Sequence, residues 1–330
     1  MWRRIAPAWV LVLLAPFVGE FLLGNTTLSA AFAYPVDAAM YGAGAVLVRE
    51  VTRRAGRGWP TMLALAAAYG LVEEGFGDMS LFNPRFAGLH LLAPGNLDGI
   101  GWTWWLFVLT LHVVWSMGAS IALTEALYAR RGTAPWLGRV GLTVTAAVFV
   151  VGVAVIHWTF RGGLPGFPAY ELSAGQALLT AVGTVLCIVV AFLFPRVGRR
   201  HPAGTGRVPA PWLVTLLAAA AGAVFELANH GLPGGWPIPV DLVLYALAAV
   251  LLVGWSRGRG WTARHAFAPA AGALLVYCVV GFAAQPKHGI DLAGQVGFVV
   301  LTLALTALAV RKTAVGRVPA PAAPMTPAAG

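Results

Sequence analysis

The stretch Tyr69-Gly-Leu-Val-Glu-Glu-Gly-Phe-Gly-Asp78 sets three carboxylates, Glu73, Glu74 and Asp78, at the end of an apolar run long enough to cross a bilayer. An ionised carboxylate near mid-membrane costs about 2.5–3.5 kcal/mol even on the lenient insertion scale, so such residues face a bundle interior, a wet cavity or a partner. Glu74 and Asp78 are four apart and share a helical face. Two adjacent carboxylates cannot both stay charged cheaply in a low dielectric, so the Glu73-Glu74 pair is expected to share a proton or bind a cation.

Other ionisable residues fall at a similar depth. His112 lies within a later apolar run, and its successors at four-residue intervals, Ser116, Ser120 and Thr124, make a polar stripe. Glu20, His157, Glu226 and His230 also fall in the outer halves of their segments, with Glu226 and His230 four apart on one face. Glu73, Glu74, Asp78, His112, Glu20, Glu226 and His230 therefore form the expected substrate- or ion-binding set. Glu50 and Glu125 sit beside arginines at the cytoplasmic ends of their segments, where pairing at the surface is the expectation. Cys187 and Cys278 show no CxxC or Cys/His spacing, so free thiols and neither a metal nor a cofactor are expected.

The elements that must position these residues follow from composition. With 59% apolar and 10% charged residues and a mean hydropathy of +0.78, the chain falls outside the soluble globular class. The sequence divides into ten apolar spans, at about 5–24, 33–49, 60–80, 102–127, 138–160, 174–194, 210–229, 239–255, 266–284 and 291–310. Each is about 17–25 residues, the length a helix needs to cross the hydrocarbon core. The expected fold is all-α, a polytopic membrane helix bundle.

Alternating the loops between two sides gathers 19 of the 22 basic residues on one of them, leaving only Arg85, Arg161 and Lys287 on the other. The positive-inside rule then places both termini in the cytoplasm of a cell-membrane protein. The net charge of +10 is thereby assigned to lipid headgroups and not to nucleic acid. The Ala/Pro-rich segment from about 313 to 330 reads as a disordered tail. The outer loop 81–101 reads either as a lid or as a connector.

A shift of 204 positions aligns residues 6–47 with 210–251 without a gap, with 16 of 42 positions identical. The uncommon residues carry the match: Pro7 with Pro211, Phe21 with Phe225, Asn25 with Asn229, Pro35 with Pro239, Asp37 with Asp241, and Tyr41 with Tyr245. Spans one to four (about 5–127) then correspond to spans seven to ten (about 210–310), with the pair at 138–194 inserted between them. Both copies run the same way through the membrane, a parallel repeat. The second copy has Leu275 and Val276 where the first has its two glutamates, so the acidic chemistry belongs to one copy alone.

Two classes of function fit this pattern. A carrier of a small solute or an ion would use a polar pocket between the two related bundles, with Glu73 and Glu74 titrating or binding a cation and His112 deepest on the path. An intramembrane hydrolase is the alternative, because a Glu-Glu pair followed by histidines on later helices resembles the CPBP family of intramembrane proteases, whose motifs are EExxxR, FxxxH and HxxxN. Here Asp78 stands at the arginine position, Val108 at the phenylalanine, and Arg161 and Gly234 where asparagine follows the histidine. That resemblance implies Glu73 or Glu74 as the base activating water, and His112 and His157 as oxyanion or metal partners. A membrane scaffold whose polar cluster only holds helices together is the third reading. The carrier is the preferred one.

Overall fold

The computed structural model describes residues 2–196 and 207–315. Among them ten helices occupy the ten expected spans, with ends shifted by a few residues. Helix α1 is Trp2–Pro16 with a π-wound continuation, Phe17–Leu22. Helix α2 is Leu28–Arg54, and α3 is Trp59–Val72 continued as a π-wound turn, Glu73–Gly77. Next come α4 at Trp102–Leu127, α5 at Arg139–Gly162, α6 at Ala174–Leu193 and α7 at Pro211–Gly231. Helices α8 at Pro237–Ser256, α9 at Ala263–Val280 and α10 at Gly289–Val315 complete the bundle.

All but α3 are long and apolar enough to cross a membrane by length and composition alone. Helix α3 carries Glu73 and Glu74 in its last turn. The chain is an all-α polytopic membrane protein.

The starts are set by local chemistry. Ser173 caps α6 in a reciprocal box with Gln176, and α3 and α7 begin with proline in the first turn, where its missing N–H is no loss. Contacts at the two ends of the bundle bear out the alternation of direction. At the arginine-rich end Arg57 donates to the Phe194 carbonyl and Arg131 to that of Arg4 at 2.9 Å. At the other end Gln285 donates to the Asn25 carbonyl at 2.6 Å and Thr103 to that of Gly234 at 3.2 Å.

Helices α1–α4 form the centre. Helix α1 packs on α2 and α4, α3 packs on α2 and α4, α5 flanks α2, α6 flanks α3, and α9 and α10 close against α4. The inner position shows in the burial of the apolar windows, 61% for α1 and 67% for α4 against 6% for α5 and α8. The outward valines and leucines of α5, α6 and α8 are the lipid face. Where helices cross, glycine lets backbones meet: a Cβ on Gly42 would stand 2.3 Å from the Val12 carbonyl oxygen, and one on Gly272 2.4 Å from that of Thr215.

Three expectations are corrected. Among the described residues the seam between α1–α4 and α7–α10 is packed with aromatic rings, and the cavity of about 240 Å³ that it holds between α4 and α8 is not lined by Glu73, Glu74 or His112. Trp115 stacks on Tyr277 at 4.7 Å, Phe107 on Phe225 at 5.5 Å, and the Trp115 indole donates to the Ala273 carbonyl at 2.8 Å. Glu50 and Glu125 are not surface partners. Arg49 and Glu50 are fully buried and bonded at 2.7 Å, and Glu125 takes Arg49 at 3.1 Å and Arg53 at 2.6 Å. The loop after α4 folds beneath them, so that the Arg49 guanidinium lies 3.6 Å from the Trp136 ring centre, and the backbone N–H of Trp136 donates to Glu50 at 2.8 Å. Finally, α10 runs to Val315, beyond the expected start of the tail. Positions 197–206, with Arg199 and Arg200, and the tail 316–330, with Arg317, lie outside the described residues.

Candidate functional site

The four π-wound turns among the described residues are Phe17–Leu22, Ala38–Gly42, Glu73–Gly77 and Leu111–Ala119, one in each of α1–α4. Each contains glycine, which weakens regular winding, and each carries a residue of one polar cluster: Glu20, Tyr41, Glu73 with Glu74, and His112. π-winding is rare and concentrates at functional positions. The glycines also admit close neighbours, a Cβ on Gly19 falling 2.8 Å from the Ser116 hydroxyl and one on Gly75 2.7 Å from that of Thr180.

His112 is the hub. Its Nε2 lies 2.6 Å from Glu73 Oε2 and 2.5 Å from Glu74 Oε1. Each carboxylate is anchored through its other oxygen. Glu73 Oε1 accepts from the Tyr41 hydroxyl at 3.0 Å, and Glu74 Oε2 accepts from the Ser80 hydroxyl. Tyr41 also lies 2.6 Å from Glu20 Oε1, while Thr26 donates to Glu20 Oε2 at 3.2 Å. Glu73, Glu74 and His112 are all at least 95% buried. The rings of Tyr41 and Tyr69 flank the imidazole at 5.7 and 5.8 Å.

Ser80 reaches Glu74 because the chain turns sharply after α3. Met79 is fully buried at φ +62°, a left-handed conformation that a non-glycine residue adopts only when its surroundings impose it. Asp78 Oδ1 accepts the Ser80 N–H at 3.0 Å, and the Trp104 indole donates to the Ser80 hydroxyl at 3.1 Å. The first residues of the following loop, Leu81, Phe82 and Asn83, are buried, the Leu81 N–H donating to the Glu74 carbonyl at 3.2 Å, whereas positions farther along reach the surface in a short hairpin, Asn96–Leu97 with Ile100–Gly101.

The cluster is short of positive charge. Three carboxylates, Glu20, Glu73 and Glu74, face one imidazole, and no lysine or arginine among the described residues pairs with any of them. Glu73 Oε2 and His112 Nδ1 have no hydrogen bond although both are buried. Two cavities lie elsewhere, one of about 370 Å³ lined by Trp212, Arg264, Phe267 and Thr306, the other of about 240 Å³ lined by Leu106, Leu109, Thr110 and Tyr245. Neither is lined by Glu73, Glu74 or His112.

Of the expected set, Glu73, Glu74 and His112 therefore converge, Glu20 joins through Tyr41, and Asp78 stands one link away through Ser80. Glu226 and His230 do not join: they pair with each other on α7 at 3.5 Å, and the His230 ring meets Phe107 edge-on at 5.4 Å. His157 stays apart as well, its Nδ1 bonded to the Phe76 carbonyl at 2.7 Å. Spacing held no hint of a metal-ligand set, yet Glu73, Glu74 and His112 offer three donor atoms within 4.8 Å of one another. Tyr41 and Ser80 were not expected in the site. Tyr41 had one signal, its recurrence as Tyr245, but Tyr245 bonds Thr110 instead.

No curated protein and no solved structure matches the chain. A sequence model described as that of an uncharacterized membrane protein family matches residues 9–324, nearly the whole length, and the chain belongs to that family.

Proposed function

We propose that the protein is a cation-handling carrier of the cell membrane, with both termini cytoplasmic by the bias of its basic loops, represented here in a state closed at both ends. One observation carries this reading. His112, Ser116, Ser120 and Thr124, all buried, follow one another at four-residue intervals along α4, from the Glu73 and Glu74 cluster toward the end where Glu125 meets Arg49 and Arg53. A packed knot needs no polar residues along the rest of the helix, and a hydrolytic centre needs access from one side only. Above, the Met79–Ser80 turn seals the cluster; below, Trp136 and the Arg49 network do. The pathway lies inside the first four helices and not between two repeat units, in keeping with the aromatic seam.

The test is flux. Protein reconstituted in liposomes is given an inward proton gradient or external Mn²⁺, with a trapped pH-sensitive or metal-quenched dye as readout. Faster signal than in empty liposomes, lost in Glu73→Gln and Glu74→Gln, supports the carrier. Flux equal to that of empty liposomes for every cation offered, or undiminished in both variants, removes it.

The meeting of Glu73, Glu74 and His112 also favours the hydrolase reading, since that is the part of the CPBP-like pattern that the fold brings together. His157, which the resemblance implies as a partner, is spent on the Phe76 carbonyl. Cleavage of a membrane-inserted peptide reporter, abolished by Glu73→Gln and unaffected by the absence of any gradient, would favour it over transport.

A further inference from the structure

We infer that Glu73, Glu74 and His112 form a binding site for one divalent transition-metal cation. This rests on the cation-carrier reading for its purpose, but on geometry for its existence.

The donor set is built in layers. Each carboxylate has one oxygen tied to a hydroxyl, Glu73 Oε1 by Tyr41 and Glu74 Oε2 by Ser80, which leaves Glu73 Oε2 and Glu74 Oε1 both facing His112 Nε2. Outer-shell bonds of that kind are what orient metal ligands. A single N–H on Nε2 cannot point at two oxygens at once, and Glu73 Oε2 is the one left without a hydrogen bond while 2.6 Å from that nitrogen. A buried carboxylate oxygen 2.6 Å from the imidazole nitrogen, yet without a hydrogen bond to it, is placed to take a cation.

Size and charge agree. At metal–ligand distances of about 2.0–2.2 Å, corners of a tetrahedron stand about 3.4 Å apart, so the 2.6 and 2.5 Å separations of the two oxygens from Nε2 open by less than about 1 Å to admit the ion. Two positive charges offset the excess of carboxylates that no lysine or arginine answers. The imidazole selects against Ca²⁺ and Mg²⁺, which prefer oxygen alone, and for Fe²⁺, Co²⁺ or Zn²⁺. His112 departs from the common pattern in one respect: its Nδ1 has no hydrogen-bond partner and stands between the tyrosine rings.

Metal-stripped protein in detergent is titrated with Co²⁺ and Zn²⁺, with visible absorption for Co²⁺ and calorimetry for both. One equivalent is expected to bind, with a Co²⁺ spectrum of low coordination number. His112→Gln and Glu74→Gln each abolish it, Ser80→Ala weakens it about 10- to 100-fold, and Glu226→Gln on α7 leaves it unchanged. Gel filtration and helix content verify that each variant is folded; should His112→Gln fail to fold, Glu74→Gln and Ser80→Ala decide. No binding by the wild type, or binding unaltered in folded Glu74→Gln, overturns the site. Proton flux without metal binding sinks this inference and spares the carrier; metal binding without any flux sinks the carrier and spares the site.

Discussion

The hydroxyl of Tyr41 lies 2.6 Å from a Glu20 oxygen, joining α2 to α1 at the centre of the bundle. The same hydroxyl is 3.0 Å from Glu73. A phenol has one proton to donate and an ionised carboxylate has none, so both contacts are satisfied only when one of the two carboxyl groups itself carries a proton. Tyr41 thereby couples Glu20 to the Glu73, Glu74 and His112 centre.

Tyr41→Phe removes that link and keeps the ring. One carboxylate oxygen loses its donor and the protonated carboxyl loses its acceptor, at about 1–3 kcal/mol. Thermal unfolding in detergent should register the loss, and Co²⁺ affinity should fall about 10- to 100-fold as an outer-shell bond disappears. A variant as stable and as tight-binding as the wild type would mean that the hydroxyl merely fills space.

Gly19→Val should damage the site without touching a charge. A Cβ at Gly19 falls 2.8 Å from the Ser116 hydroxyl and 3.0 Å from the Tyr41 ring, so a branched side chain must push α1 from α4 or displace Tyr41. Overpacking of this kind costs about 1–3 kcal/mol. The expected signature is reduced Co²⁺ affinity together with reduced stability, whereas Gly254→Val, at a glycine with open space around it, should alter neither.

Trp115→Ala separates packing from chemistry. Trp115 stacks on Tyr277 and donates to Ala273, contacts that hold α4 to α9, and it bonds none of the cluster. Truncation leaves a cavity and removes a second hydrogen bond from the Ala273 carbonyl, a loss of about 3–5 kcal/mol. Metal binding by the surviving folded fraction should persist, read as an undiminished Co²⁺ spectrum per folded molecule at low temperature. A lost spectrum would place the seam within the site.

The ten helices were legible because each is an apolar run ended by glycine, proline or arginine, and because membrane helices need little else to be recognised. Glu73, Glu74 and His112 were legible for a related reason, since ionisable groups are conspicuous inside hydrocarbon. Their location was not. Similarity between two stretches of sequence is silent on which helices touch, and a site expected between the two halves meets the stacked rings of Trp115 and Tyr277 there instead. Tyr41 and Ser80 escaped because a hydroxyl is unremarkable in such a chain, and the π-winding because it depends on neighbours that only the fold supplies.

Arg49 illustrates the same limit and supports a last prediction. Position near a helix end reads as an interfacial arginine, but the loop carrying Trp136 turns under the bundle and closes it off, leaving Arg49 and Glu50 fully buried. Arg49→Met strands Glu50 with only backbone N–H groups and Arg54, at 3.5 Å, as company. Uncompensated buried charge costs about 3–5 kcal/mol. Adding Glu50→Gln removes the stranded charge yet keeps a carbonyl oxygen for the Trp136 N–H, so the double variant should recover part of the stability lost by Arg49→Met alone. Unfolding midpoints in detergent decide it: a double variant less stable than the single one would mean that the lost guanidinium contacts, and not an orphaned carboxylate, set the cost.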